Sequence, residues 1–491
     1  MSDLKKKAVR GAGINVASHA VSFVFHTVGV IILARLLTPK DFGLVAMVTA
    51  FSMWVMNFGI NGFTEYIIQK KDISAEDVNS IFWTHLLIAA TLSLAFALFG
   101  FVLVDFYKEP ALFGIVIAMA SSIILYSLFT SPFALLQRAM KFSLIAVIEL
   151  SAVILSVGLS IVAASAGMGY WAIVIRQLTL PVVSVMAVWI ISTWRPTRPK
   201  NLANALPALK YAFKIYCNFS LNYLTRNIDK ILIGRVHGSA VLGTYDRAYY
   251  LSQMPAEQLL RPLNSVALAT LSRIREDKQK FITYYIKALS TVSYLGTMVT
   301  VVLFLTAQDL VLLLLGPKWT ETGRILMALT PGIAAVLISG TCSWLHLSLG
   351  TPGRWLRWNI VASIFTILAF IIALPYGAFA MGIAYSAKTY ILLFPGIWFA
   401  GRPIHLKVGK IASSIWPYLL SAVIVAASHI FLSAYCNPLS VFLSQLPLVL
   451  RVGLVSLTAT ISYVLFTAIL ERSFKSVYEL VSLVKLFLKR S

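Results

Sequence analysis

Between Ile215 and Gly234 the chain reads IYCNFSLNYLTRNIDKILIG, a run long enough to cross a bilayer. Within it Asn218, Asn222, Arg226 and Lys230 recur every four residues, with Asp229 beside them. On a helix that spacing gives one slanted polar stripe. These residue types suit an anion: a guanidinium forks onto phosphate, and an ammonium adds a second positive charge. The amides can bond to hydroxyl-rich groups. Asp229 can either hold the two cations in place or couple transport to a cation. Each ionisable group near the bilayer centre costs about 2.5–3.5 kcal/mol. Three in one span must therefore face protein, water or ligand, and they mark a pathway for something polar.

The next apolar run carries its own stripe. Asp246, Tyr250, Gln253, Glu257, Arg261 and Asn264 step by three or four, and Pro255 and Pro262 predict a kink among them. Arg261 is a further anion-binding candidate and Glu257 a further ion-coupling candidate. One turn apart, the two can equally satisfy each other. Arg176 and Lys388 are single charges in otherwise apolar runs, placed to bind substrate or to bridge helices. Asn57 and Asn61 add amides in the second run, and His26 is an ionisable group in the first. A lone histidine in a helix is more often packed and hydrogen-bonded than a ligand contact. No catalytic or metal-binding pattern stands out: there is no Walker A loop, HExxH, CxxC, DxD or GxSxG.

The elements that must position these residues are membrane helices. Of 491 residues 59% are hydrophobic and 12% charged, with a mean hydropathy of +0.84. A soluble protein carries about twice that share of charge. We read an all-α polytopic membrane protein with about fourteen spans. Spans 7 and 8, near 212–235 and 241–266, bear the two stripes, and span 10 is expected as one run over 323–347. The longest polar break, Thr193–Lys210, holds Pro196, Pro199 and Pro207 and divides the first six spans from the rest. Across it the sequence repeats at an offset of 200. Ile31–Arg35 matches Ile231–Arg235, and Gly43 matches Gly243. Ser18, Ser22 and His26 correspond to Asn218, Asn222 and Arg226, while Asn57, Asn61 and Thr64 correspond to Glu257, Arg261 and Asn264. An even number of intervening spans makes these parallel repeats. The resulting organisation is an N-lobe over 1–200, a C-lobe over 201–405, and an addition over 406–491. That addition comprises spans 13 and 14 and a cytoplasmic amphipathic segment, Phe474–Leu488. The polar faces of spans 1, 2, 7 and 8 are expected to line a cavity between the lobes.

The net charge of +23 is distributed by loop. With the N-terminus in the cytoplasm, roughly 27 Lys and Arg fall on the cytoplasmic side against six opposite. Both termini are therefore expected in the cytoplasm, and much of the basic excess is topogenic, which argues against nucleic acid as a partner. The first apolar run ends in ILARLL and lacks a cleavage site, so it reads as a span and not as a signal peptide.

Three passages carry a family resemblance. Ala34–Val45 (ARLLTPKDFGLV) resembles the first outward turn of bacterial polysaccharide transporters. Leu135–Phe142 (LLQRAMKF) looks like their cytoplasmic turn after span 4. Arg226–Gly234 with Leu242–Tyr245 looks like their span 7–8 hairpin. These are the Wzx-like lipid-linked oligosaccharide flippases of the multidrug/oligosaccharidyl-lipid/polysaccharide (MOP) superfamily, the colanic-acid-exporter type in particular. The resemblance implies two six-helix lobes around a cationic cavity and alternating access. It implies a polyprenyl-diphosphate-linked oligosaccharide moved from the cytoplasmic to the outer leaflet of the bacterial inner membrane, for exopolysaccharide, capsule or O-antigen. Membrane lipids, a glycan polymerase and export machinery are the implied partners, and spans 13 and 14 flank a groove for the lipid tail. No cofactor is expected. The membrane potential, or proton or sodium coupling through Asp229 or Glu257, can drive the cycle. A drug/cation antiporter of the same superfamily fits the cationic stripe less well. A membrane-embedded polymerase or ligase would need larger outward loops than this chain has.

Overall fold

The computed structural model describes residues 2–199, 201–435, 437–474, 476 and 478. It describes the backbone alone for 2–12, 15, 16, 59, 218, 260–262, 265, 437, 439 and 440. Among these residues the regular structure is entirely helical. The chain runs through α1 (Ser2–Leu36), α2 (Pro39–Gln69), α3 (Ala75–Tyr107), α4 (Leu112–Arg138), α5 (Phe142–Ser165) and α6 (Trp171–Ile191). It continues with α7 (Leu206–Arg273), α8 (Lys278–Leu314), α9 (Thr320–Leu329), α10 (Pro331–Gly340), α11 (Cys342–Ser348), α12 (Pro352–Ala373) and α13 (Gly377–Gly401). The last elements are α14 (Val408–Ser413), α15 (Trp416–Tyr435), α16 (Asn437–Gln445) and α17 (Leu448–Glu471). Of the expected tail, only Phe474, Ser476 and Tyr478 are described; the rest of Phe474–Leu488 lies outside the described residues.

Among the described residues ten helices are long and apolar enough to cross a membrane, and the broken pair 317–329 and 331–348 makes an eleventh. Pro352–Ile404 counts there as one stretch, yet α12 and α13 pack on each other across a turn at Gly377 (φ +86°). Counting α12 and α13 separately and adding the two charged arms of α7, the described residues hold fourteen helical segments, against about fourteen expected from the sequence. Span 10 differs from its expected single run. It is α9, α10 and α11, with a 49° bend where α9 meets α10 at Thr330. Pro331 opens α10 and lacks the N–H that a continuous helix would use there.

α7 holds a second difference. Its 68 residues keep helical dihedrals through Pro255 and Pro262, and the non-helical residue is Gly238, at φ 80° and ψ 179°. Only glycine occupies that region without strain. Gly238 is thus the turn between spans 7 and 8, and it divides α7 into a first arm (206–237) and a second (239–273).

By packing, the chain divides into two compact units, Met1–Gly243 and Thr244–Ser491. The first unit therefore includes the first arm of α7, because that arm lies antiparallel along α2. A Cβ on Gly62 would sit 2.4 Å from Ala212 Cα. Tyr211 Oη donates to Gln69 Oε1 at 3.1 Å, and the Tyr216 ring packs on Trp54 and Phe58 at 6.3 and 5.0 Å. Tyr223 Oη reaches the Thr49 carbonyl at 3.4 Å.

At the far end the two segments cross backbone to backbone. A Cβ on Gly43 would lie 1.7 Å from the Ser239 carbonyl oxygen, and one on Gly243 would lie 1.8 Å from the Pro39 carbonyl oxygen. The contact is reciprocal: residues 39 and 43 meet 243 and 239, their own repeat equivalents.

The ends of α2 are built by named side chains. Thr38 and Asp41 form a capping box: the Asp41 carboxylate accepts the Thr38 N–H at 2.9 Å, and Asp41 N–H donates to Thr38 Oγ1 at 3.4 Å. At the other end Arg138 of α4 donates to the carbonyls of Ile67, Lys70 and Lys71 at 2.7, 2.6 and 2.8 Å. Ile67 belongs to the last turn of α2 and Lys70 and Lys71 follow it, so the guanidinium sits at the helix end that favours a cation.

Two outcomes follow from this packing. Gly43→Ala should lower stability by about 1–3 kcal/mol through overpacking. Gly243→Ala should do the same, and the double variant should cost less than their sum, because both strain one crossing. Arg138→Gln should cost about 1.5–3 kcal/mol, and Arg138→Lys should recover only part, since an ammonium lacks the fork. Thermal denaturation in detergent reads both.

Candidate functional site

The first arm of α7 sorts its polar groups by direction. Asn222 and Arg226 are exposed, and Lys230 is half-buried. Arg226 has no hydrogen-bond or ion-pair partner among the described residues. Asp229 sits about 60° around the helix from Arg226, on the inward side, and is 1% exposed. Its Oδ1 accepts the backbone N–H of Lys230 at 2.8 Å. The charged span thus presents a free guanidinium to its surroundings and keeps its carboxylate inside. The side chain of Asn218 lies outside the described part of the structure.

Three helices meet around Thr49 of α2. Tyr223 of α7 reaches its carbonyl, and Gln177 of α6 donates to its Oγ1 at 3.3 Å. Gln177 follows Arg176, which is half-buried and engaged within the protein. Further along α2, Asn61 Nδ2 donates to Asn57 Oδ1 at 2.9 Å, and Asn57 turns its own amide to the Met53 carbonyl at 3.4 Å. The two asparagines form one ladder along the helix. On α1, Ser18 is buried, the Ser22 Oγ is enclosed without a partner among the described residues, and His26 is exposed and engaged.

The second unit gathers another set. Gln253 of the second arm donates to Tyr385 Oη on α13 at 2.9 Å, and the Tyr249 and Tyr385 rings meet edge to face at 5.6 Å. Lys388, one turn beyond Tyr385, places its Nζ 5.0 Å from the Tyr385 ring centroid and 5.9 Å from that of Phe370. A cation held over aromatic faces keeps a desolvated charge stable. Lys388 and the stripe of span 8 are therefore one cluster. Asp246 and Arg247 pair with each other, and Arg247 stacks over Tyr250 at 5.3 Å. Asn264 accepts the Trp344 indole N–H at 2.7 Å. Glu257 is exposed and engaged, while the side chain of Arg261 lies outside the described part.

Some members of these clusters give little signal in the sequence. Tyr385 and Thr49 carry no charge and sit in apolar runs. Glu149 of α5 is half-buried within electrostatic reach of His19 on α1, and its position as the acid of an otherwise apolar span is the signal that could have found it.

Comparison with known proteins places this geometry. A family model described as "polysaccharide biosynthesis protein" matches residues 32–324, more than half of the chain. The lipopolysaccharide biosynthesis protein WzxC of Escherichia coli (strain K12) is 23% identical over 335 residues, 66% of this chain and 67% of the relative. The succinoglycan biosynthesis transport protein ExoT of Rhizobium meliloti (strain 1021) is 25% identical over 338 residues, 67% of each. Among solved structures, the lipid II flippase MurJ in an inward closed conformation superposes with a TM-score of 0.71 at 14% identity, covering 93% of this chain and 99% of that one. An inward-facing multidrug-resistance MATE transporter of the MOP superfamily gives 0.62 at 15% identity, covering 79% and 96%. The chain has the fold these two share.

The sorting of charges on α7 makes a prediction. Arg226→Gln should change thermal stability by less than about 0.5 kcal/mol, as an exposed, unpaired group does. Asp229→Ala should cost about 1–3 kcal/mol, because it removes a buried, hydrogen-bonded carboxylate from the packing of α7. Melting of both variants in the same detergent checks it.

Proposed function

The chain belongs to the polysaccharide biosynthesis protein family, and from that membership together with the cationic arm of α7 we infer that it is a flippase for polyprenyl-diphosphate-linked oligosaccharide. It carries the glycan from the cytoplasmic to the outer leaflet of the bacterial cytoplasmic membrane by alternating access of its two repeats, 1–200 and 201–405. Both termini face the cytoplasm, in line with the bias of Lys and Arg among its loops. The glycan and diphosphate travel through a wet path while the prenyl tail stays in lipid, which spares the sugar hydroxyls a passage through hydrocarbon.

One observation carries this reading: Arg226 is exposed, without a partner among the described residues, within a membrane-length arm. A cation left in that position needs an anion or water, and a diphosphate supplies the anion. Lys230 stands one turn on, and Arg176, Arg261 and Lys388 add positive charge along the route. Asn218, Asn222, Asn57, Asn61 and His26 offer hydrogen bonds to sugars. The protein performs no bond chemistry, and a glycan polymerase and export machinery take over the product.

A negative-inside potential favours outward movement of negative charge by about 2.3 kcal/mol per charge per 100 mV. A diphosphate with two charges gains roughly 4–5 kcal/mol across the full field. Proton or sodium coupling through Asp229 or Glu257 adds to that drive without being required by it. The excess of cations along α7 weighs against a drug/cation antiporter of the same fold.

Purified protein in sealed vesicles should flip a lipid-linked oligosaccharide. Arg226→Gln/Lys230→Gln should slow the initial rate by on the order of tenfold or more, equivalent to about 1.4 kcal/mol or more. Undiminished transport by that variant would remove the site assignment. Asp229→Asn, assayed across pH and sodium gradients, reads coupling separately: an unchanged gradient response assigns Asp229 to the packing of α7 alone.

A further inference from the structure

The first unit holds an acid that cargo transport leaves unused. Glu149 is the one charged residue of α5 and is half-buried. It has no hydrogen-bond or ion-pair partner among the described residues. Ile145 and Ile148, which precede it, pack with Val188 of α6 into an apolar cluster.

α1 packs along α5, and four turns of the chain separate the two, so they run in the same direction. A Cβ on Gly29 would lie 2.8 Å from Val157, which sets their register. Seven residues back on each helix stand Ser22 and Leu150, so Ser22 is level with Glu149. The Ser22 Oγ is enclosed and has no partner among the described residues. His19, one turn before Ser22, is exposed and lies within electrostatic reach of Glu149.

Other charges on the helices packed against α5 are further off. His26 lies seven residues beyond His19 on α1, about 10 Å along the axis. Arg176 of α6 stands about 16 Å nearer the turn that joins α5 to α6. Lys141, before α5, is about 12 Å from the level of Glu149. Arg138 of α4 is committed to the end of α2. The side chains of Lys5, Lys6, Lys7 and Arg10 lie outside the described part, and Arg10 precedes His19 by about 13 Å of helix.

A carboxylate among apolar groups is stable beside a positive charge, and without one it takes a proton. Glu149 has a partner for each state: a protonated His19 for the carboxylate, and the Ser22 hydroxyl as acceptor for the neutral acid. A metal ion suits the place poorly, because such ions take several oxygen ligands and a single carboxylate stands here.

We propose that Glu149 and His19 form a proton-binding site, at which Glu149 cycles between carboxylate and carboxylic acid by taking up one proton and releasing it. The imidazole, exposed where the carboxyl is half-buried, relays that proton. The use of this proton to drive cargo rests on the flippase function proposed above; proton binding itself does not depend on transport.

The test follows the purified full chain by infrared difference spectroscopy through a pH titration, reading the C=O stretch of protonated carboxylic acid. Glu149→Gln should remove one titrating carboxyl from the spectrum. His19→Gln should change the proton affinity of that carboxyl by about threefold or more, because the charge beside it is then gone. If Glu149→Gln does not purify, His19→Gln, a change at an exposed residue, still reads the site. A spectrum in which Glu149→Gln removes no titrating band overturns the proposal, and an unaltered titration in His19→Gln overturns the pair. In sealed vesicles at clamped potential, Glu149→Gln should reduce the acceleration of flipping by a pH gradient by on the order of fivefold or more. Full acceleration in that variant overturns the coupling role. A wild-type protein that titrates as expected yet flips no lipid-linked oligosaccharide overturns the proposed function and leaves the proton site standing.

Discussion

The antiparallel contact between α2 and the first arm of α7 is the constraint on which the first unit depends. Two glycines, Gly62 and Gly43, let α2 lie against α7 backbone to backbone, and Gly243 completes the crossing at the far end. Such approach leaves no room for a methyl group, so the register of the two helices is fixed at both ends. On that arm Arg226 and Asn222 are exposed and Asp229 is buried.

The same reasoning explains why the polar residues of the chain do not behave as one population. Those within hydrogen-bond reach of a neighbouring helix become fasteners: Gln177 on Thr49, Gln253 on Tyr385, Trp344 on Asn264. Lys388 is held over two aromatic rings. Buried polar groups must be paired because water is not available to replace a missing partner. Arg226, by contrast, is exposed and has no hydrogen-bond or ion-pair partner among the described residues.

The passages that resemble the family also acquire physical meanings. In Thr38-Pro39-Lys40-Asp41-Phe42-Gly43 the threonine and aspartate cap α2 and the glycine makes the crossing. In Gln137-Arg138-Ala139-Met140 the arginine holds the other end of α2, and Met140 turns the chain at φ 54°. In the hairpin, Asp229 is buried, and a Cβ on Gly234 would come within 2.9 Å of the Tyr107 ring. Much of what makes the sequence recognisable is therefore packing around α2 and α7, laid beside the cations of the stripe.

The sequence by itself determined the helical class and the membrane-length apolar runs, because both rest on local composition and periodicity. Apolar runs of membrane length must be helices, since the bilayer offers their backbone no other partners. The offset linking Gly43 to Gly243 was equally legible, as identity at fixed spacing. The stripe on span 7 could be placed on a helix but not oriented, and so Asp229 and Arg226 could not be told apart in role. Their separation depends on burial in the folded chain, where Asp229 is enclosed and Arg226 exposed. Tertiary structure alone decided that, as it decided that Lys388 joins Gln253 and Tyr249 through Tyr385. The break at Thr330 and the turn at Gly238 lie between these cases. Pro331 and Gly238 permit them, but whether a proline kinks a helix or a glycine turns it depends on the packing available to either side.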